Sequence, residues 1–502
     1  MRKGNGQFLG GVVLGAIAAG AAAQPPAKIA GGELEDHLVA AIAIGGGRAE
    51  GMAVSPDGKR AWLAMGLSRT VFCLDTAGGR YVRGFGKLGW PQAICCCPAD
   101  GRLHVVDDAR SAGGRAVLLL RTFDPNTGRQ VRQVALDDWR LYRPTDAAAA
   151  ADGSCVWVST QPNCTDRWGY TPAALFRVDL KSGRCERIIG PAADQRCVAG
   201  PESFVPMRIA LGPGGRLFAA NAEPNCVSLL PPGADGKARH LKLPFAPTHL
   251  CAGRSGRLVA AGDGRLAVID ANEMGLLATV SLKGTPTALC LDRTGWMAFV
   301  AVKGSSRIRQ LDVATGALGP DIDASRPGGI DAADSVRGRS VGDIVALAFA
   351  ERPRRLIGLG YDGYTPFVVT LDGKQRRYCA YREPSGLAVD GKTGHVRVSF
   401  AGGLVAEVDV AAGQLVGLTD SAERLAAAAA AHGARTGAGI ACRGATVTLR
   451  LADGSEVAIA RLGNYGPPAA VGIGADERLA FAATDGGAST SWLLVFRLAA
   501  RP

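Results

Sequence analysis

The sequence predicts an all-β fold of short four-stranded antiparallel sheets stacked about an axis. Three observations predict it: a turn signal that recurs along the chain, a second and different turn that recurs with it, and 69 glycines in 502 residues. Residues 50–86 show the unit. Gly51 to Ser55 is a small apolar run, and Pro56-Asp57-Gly58-Lys59 supplies the proline and the glycine that a tight reversal needs. Ala61 to Met65 returns from that turn. Thr70 to Asp75 is a third strand, and Asp75-Thr76-Ala77-Gly78-Gly79 turns it into a fourth, Arg80 to Phe85. A lone sheet of about 40 residues cannot bury both faces, so copies must stack.

The copies follow in order. The first strand and its turn recur from Pro91, Pro144, Pro206, Pro247, Pro286 and Pro384, with weaker versions near Ile344 and Pro468. The second turn recurs as Asp124 to Gly128, Asp179 to Gly183, Asp312 to Gly316 and Asp409 to Gly413. Residues 424–463 read as one more unit, with strands at Ala441 to Arg450 and Glu456 to Arg461, so ten repeat-like units are expected. Paired turn signals of this kind predict a β-propeller of four-stranded blades, seven or more in number. The repeats resemble the YVTN-type β-propeller family, whose units run from a proline through a short apolar strand to Pro-Asp-Gly, a valine-rich strand and a closing Ile-Asp-x-Ala-Thr-Gly. Gly51 to Lys59 and Leu311 to Gly316 carry the match, which extends over nearly the whole mature chain. That resemblance implies architecture; the family holds exported proteins of unassigned role beside relatives of sugar lactonases, so chemistry must be argued from a site.

Residues 1–23 have the make-up of a signal peptide: Arg2 and Lys3, an apolar stretch from Phe8 to Ala19, and Ala21-Ala22-Ala23 before Gln24. A retained membrane anchor is the alternative, although the apolar run is short for a span of about 20 residues. We expect an exported protein, periplasmic or extracellular, with no transmembrane helix after signal removal. Residues 24–33 are a Pro/Ala/Gly linker, and 34–502 the repeat domain, in which Leu34 to Gly45 is a lone strand expected to pair with the last repeat and close the assembly. The stretch from Gly319 to Gly342, rich in Asp, Gly and Arg, is the best internal boundary.

The formal charge of +12 arises from arginines scattered through hairpin turns, with no basic run interleaved with aromatics, so nucleic acid is not an expected partner. Thirteen cysteines leave at least one unpaired. Cys95, Cys251 and Cys290 share a first-strand position where other repeats have alanine, which reads as packing. Cys164, Cys197 and Cys226 read as loop residues, with Cys164 and Cys197 the candidate disulfide. No zinc-ligand spacing occurs, so no metal is expected. Adjacent Cys95-Cys96-Cys97 resembles the neighbouring-cysteine disulfide of quinoprotein dehydrogenases, but that family's repeat pattern is absent, so no cofactor is expected.

In propellers the start of each first strand lines one mouth of the central tunnel. The second position after each repeat's proline is Ala93, Asp146, Arg208, His249, Ala288 and Gly386, and Gly51 stands there in the first unit. Three consecutive units thus offer an acid, a base and an imidazole, with Glu50 and Thr248 among the residues just before. Two readings stand. Arg208 holds a carboxylate or phosphate, His249 serves as acid or base and Asp146 orients it, or else Asp146 and Arg208 form a structural salt bridge and His249 caps a strand. Asp107-Asp108 reads as a solvated loop pair or a cation contact, and the long excursion from Gln161 to Thr171 as a contact surface for a partner protein or a glycan. The expectation is a binding module for a protein partner or a small anionic ligand. A propeller hydrolase of the lactonase kind, acting on a small sugar-derived or acidic substrate, is the alternative.

Overall fold

The computed structural model describes residues 38–498 other than 47–48, 79, 87, 111–115, 138–142, 162, 166–168, 172, 190–205, 223, 231–237, 325–343, 352–353, 361–364, 375, 379–383, 391, 401–403, 413, 421–429, 433–437, 444–445, 452, 460–461, 463–467, 474–478 and 486–489. Among them there is no α-helix, and no helix long and apolar enough to cross a membrane. The segments expected to be a signal peptide and a linker lie outside the described residues, as does Cys197.

Both turn signals form as read. In the first, Gly58 sits at φ 73°, and Asp57 Oδ1 accepts the Lys59 N–H at 3.0 Å and the Ser55 hydroxyl at 2.6 Å. In the second, the glycine takes positive φ and donates its N–H to the carbonyl of the aspartate four residues before it, as Gly128 does to Asp124 and Gly316 to Asp312, each at 2.8 Å. The strands Arg60–Met65, Thr70–Asp75 and Arg80–Phe85 follow the first of these turns.

The described residues form ten four-stranded antiparallel units, two of them fused into one eight-stranded sheet. We number them in chain order: sheet 1 (49–85), sheet 2 (91–137), sheet 3 (143–189), sheet 4 (206–242), sheet 5 (249–281), sheet 6 (286–323), sheet 7 (344–378), sheet 8 (384–420), sheet 9 (430–459) and sheet 10 (468–497). Sheet 10 takes its fourth strand from Leu38–Gly46, which pairs antiparallel with Thr490–Arg497, so the expected union of the two ends of the repeat domain is present. The unit at 424–463 differs in detail, because Ala441 to Arg450 is two strands, Gly439–Arg443 and Thr446–Arg450, paired with each other.

Sheets 1 to 7 bury both faces against neighbouring sheets. Trp62 and Val71 of sheet 1 pack on Leu103 and Val105 of sheet 2, whose other face sets Val106 and Leu120 against Val156 and Phe176 of sheet 3. Trp157 then meets Leu217 and Ala219 of sheet 4, and Phe218 meets Leu258 and Ala260 of sheet 5. Val259 and Val268 face Val300 of sheet 6, and Phe299 faces Phe367 of sheet 7. Sheet 7 presents Ile357 and Leu359 to a core shared with Leu63 and Phe72 of sheet 1, and the first strands of sheets 7 and 1 touch. Sheets 1 to 7 therefore pack in series, each on the next.

The other three are arranged differently. Sheet 8 packs on sheet 10, and sheet 10 on sheet 9, so the spatial order departs from the chain order. Sheet 8 reaches the first group through its outer strand, Gln414–Asp420, which pairs antiparallel with the outer strand of sheet 1, setting Leu418 opposite Gly84 and Gly417 opposite Phe85. Gly386 therefore leaves the set of residues expected around one mouth. The segment from Gly319 to Gly342 lies between sheets 6 and 7, inside the series and not at its end; of it, Ile322–Asp323 is a strand of sheet 6 and 325–342 lies outside the described residues.

The outer-strand junction depends on Gly86. Its N–H donates to the Val416 carbonyl at 3.2 Å, and a Cβ there would fall 1.9 Å from the Leu415 carbonyl oxygen, a backbone atom that cannot swing aside. Gly86→Val is expected to prise the two strands apart at a cost of about 1–3 kcal/mol. Urea unfolding together with limited proteolysis near 415 would read it, and an unchanged transition with unchanged cleavage would contradict the junction.

Candidate functional site

A β-bulge at the leading end of the first strands sets the site. The register slips between Pro144 and Asp146, between Pro206 and Arg208 and between Pro286 and Ala288, and likewise between Ala49 and Gly51 and between Pro91 and Ala93. A bulge re-aims side chains, and here it turns the residue after it toward a neighbouring sheet.

Each first strand is the unpaired edge of its sheet, so its backbone groups need partners. The re-aimed side chains, together with His249 of sheet 5 where the first strand has no register slip, supply them. Asp146 of sheet 3 accepts the Ile209 N–H of sheet 4 at 3.2 Å, as well as that of Ala147 at 3.0 Å. Arg208 of sheet 4 reaches back and donates one N–H to the Thr145 carbonyl at 2.8 Å. His249 of sheet 5 bonds the Thr287 carbonyl of sheet 6 through Nε2 at 3.0 Å, and the Thr287 hydroxyl donates to the Ile344 carbonyl of sheet 7 at 2.6 Å. At Gly51 a Cβ would come within 3.2–3.3 Å of the backbone of Gln92, Ala93 and Ile94. The glycine there reflects close approach of sheet 2, not room left for a ligand.

The ring of His249 is fully engaged. Because a carbonyl only accepts, Nε2 carries the proton and Nδ1 accepts the Thr248 hydroxyl at 2.9 Å. Burial, then the nearby charge of Arg208, push its pKa down to about 4 against the pull of the Thr287 carbonyl, so the imidazole is neutral. Burial pushes the Asp146 carboxyl up, and Arg208 is the chief influence drawing it back. No Asp146–Arg208 ion pair within 4.0 Å occurs among the described residues; each uses neighbouring backbone instead. Arg208 keeps partial exposure, and its other guanidinium N–H groups have no protein partner among the described residues. Glu50 is exposed at the corresponding end of sheet 1, with sheets 2 and 3 standing between it and Arg208 in the series.

The cysteines pack as the repeat alignment predicts. Cys95 joins the core between sheets 2 and 3 and Cys290 that between sheets 6 and 7, while Cys251 packs against the core between sheets 5 and 6. Burial pushes the Cys251 thiol up to about 12. Cys95, Cys96 and Cys97 carry free thiols. Cys226 begins the strand Cys226–Leu230 and is buried, a correction to its reading as a loop residue. The Cys164 side chain and Cys197 lie outside the described residues, so that pairing gains no structural account. The excursion at 161–171 folds into a separate two-stranded sheet, Asn163–Thr165 against Gly169–Thr171.

Asp107 is the larger correction. It lies on the strand Leu103–Arg110, fully buried, with Arg121 Nε at 2.7 Å and the Gly89 N–H at 2.8 and 3.0 Å from its two oxygens. Neither a solvated pair nor a cation contact describes it. No group of three or more His, Cys, Asp or Glu suited to a metal occurs among the described residues. Compared with known proteins, the chain matches no family model and no curated protein.

Proposed function

We propose that the seven-sheet series closes as a β-propeller of the YVTN-type kind, and that the protein is an exported binding module whose central mouth holds a small anion at Arg208. The observation that carries this is the state of Arg208. One N–H is anchored on Thr145, and the remaining donors, partly exposed and unpartnered among the described residues, face no paired carboxylate. A guanidinium held by one donor and open at the others suits a carboxylate or phosphate. Export rests on the basic, apolar and small-residue pattern of residues 1–23.

The hydrolase reading has less support. A general base needs a free ring nitrogen poised near neutral pH, and His249 spends both nitrogens on the protein with its pKa down at about 4. A thermal-shift panel of sugar acids, sugar lactones and phosphates tests the proposal. A ligand that binds only the folded state raises the melting temperature. We expect an upward shift with acids or phosphates that vanishes in Arg208→Ala. No shift with any member, or shifts equal in Arg208→Ala, would overturn it, and lactone turnover abolished by His249→Ala would restore the hydrolase.

A further inference from the structure

We propose that the protein forms a two-fold dimer through antiparallel pairing of the outer strand of sheet 5, Gly275–Ser281, with its copy in a second chain. Outer strands are edges, and edges are usually guarded by charge or covered. Most here are guarded: Gln130–Asp137 carries Arg132, Cys185–Ile189 carries Glu186 and Arg187, and Arg239–Lys242 and Glu456–Ile459 begin with charges. Those of sheets 1 and 8 cover each other, and Leu38–Gly46 packs beside sheet 8. The sequence Gly-Leu-Leu-Ala-Thr-Val-Ser at 275–281 has no charge, and Leu276 and Leu277 are 41% and 52% exposed.

The backbone is oriented to accept a partner. The Leu282 N–H donates inward to the Gly264 carbonyl at 2.7 Å, so by alternation the polar groups of Ser281 and Thr279 point outward. Leu277 falls at the register slip opposite Val268 and Ile269, outside the ladder. A two-fold axis at Ala278 sets Thr279 against Leu277 of the second copy, and Leu276 against its Val280. It also brings the turn before each strand, with exposed Glu273, beside the end of the other strand, with exposed Lys283. That charge match selects a second copy over an unrelated strand. The same outer-to-outer antiparallel mode already joins sheets 1 and 8 within one chain.

Sedimentation velocity of the full chain over a wide concentration range tests this. Wild type should show a monomer–dimer equilibrium. Thr279→Pro removes only an outward N–H, which an edge tolerates, and should give a monomer with an unchanged melting temperature. Glu273→Lys should weaken the dimer about tenfold, two attractive pairs becoming repulsive, and adding Lys283→Glu should restore it. Should Thr279→Pro fail to fold, the charge reversal and its rescue decide alone. A monomer at every concentration, or a dimer indifferent to the charge reversal, would overturn the proposal.

Discussion

Arg121→Ala is expected to cost about 3–5 kcal/mol of folding stability, the range for breaking one side of a buried ion pair. Asp107 has no exposed surface and is held by Arg121 Nε at 2.7 Å, the Gly89 N–H at 2.8 and 3.0 Å, and the Trp90 backbone. Burial already pushes its carboxyl up, and the Arg121 charge is the main influence opposing this. Without Arg121 the group must stay charged and unpaired or take a proton, and both are costly. The deficit should shrink as pH falls and Asp107 protonates, because a neutral acid no longer needs the cation. The double variant Asp107→Asn with Arg121→Met, which removes both charges, should recover most of the loss. Urea titrations of wild type and the two variants would read this, and an Arg121→Ala protein within about 1 kcal/mol of wild type would contradict the pair's role.

Two buried histidines should make the protein acid-sensitive. His104, bonded to the Thr122 hydroxyl at 3.0 Å and 1% exposed, and His249 are both pushed down to about 4, chiefly by burial. An unfolded histidine takes its proton near pH 6.5, so the unfolded chain binds more protons between about 6.5 and 4. Depressed folded values therefore confer stability that is complete above pH 6.5 and lost as pH falls toward 4. The loss is about 3 kcal/mol for His104 and less for His249, which keeps some accessible surface. Asp107 and Asp146, pushed up by burial, act with the opposite sign, so the histidine part is best taken as a difference in slope. Replacing both histidines by glutamine should flatten the dependence of unfolding free energy on pH across this window, whatever the baseline stability. An unchanged slope would contradict their neutral state.

Much of this fold is legible in the sequence, because the two turn signals depend on local chemistry. Asp57-Gly58 and Asp312 to Gly316 form their turns through their own backbone and side chains, and ten units were readable from such marks. The grouping of those units was not. Pro384 opens sheet 8 with the same signal that opens sheet 6, and nothing local records that sheet 8 leaves the series and joins sheet 1 by its outer strand. The three candidate residues were readable as neighbours through the repeat alignment. Their use as clasps was not, since it depends, for Asp146 and Arg208, on a bulge of one residue and, for all three, on which backbone groups the next sheet leaves unpaired. Asp107 was misread for a related reason: its partner Arg121 lies on the next strand, and only the register brings them together.

Isothermal titration of inorganic phosphate and of gluconate into the purified protein tests the proposed binding role of Arg208 most directly. Wild type should give saturable binding of at least one of them. In Arg208→Ala the affinity should fall about tenfold to a hundredfold, as expected for loss of hydrogen bonds from a charged donor. His249→Ala should change it less. Absence of binding to wild type, or equal affinity in wild type and Arg208→Ala, would contradict the account and leave the three residues as clasps between sheets.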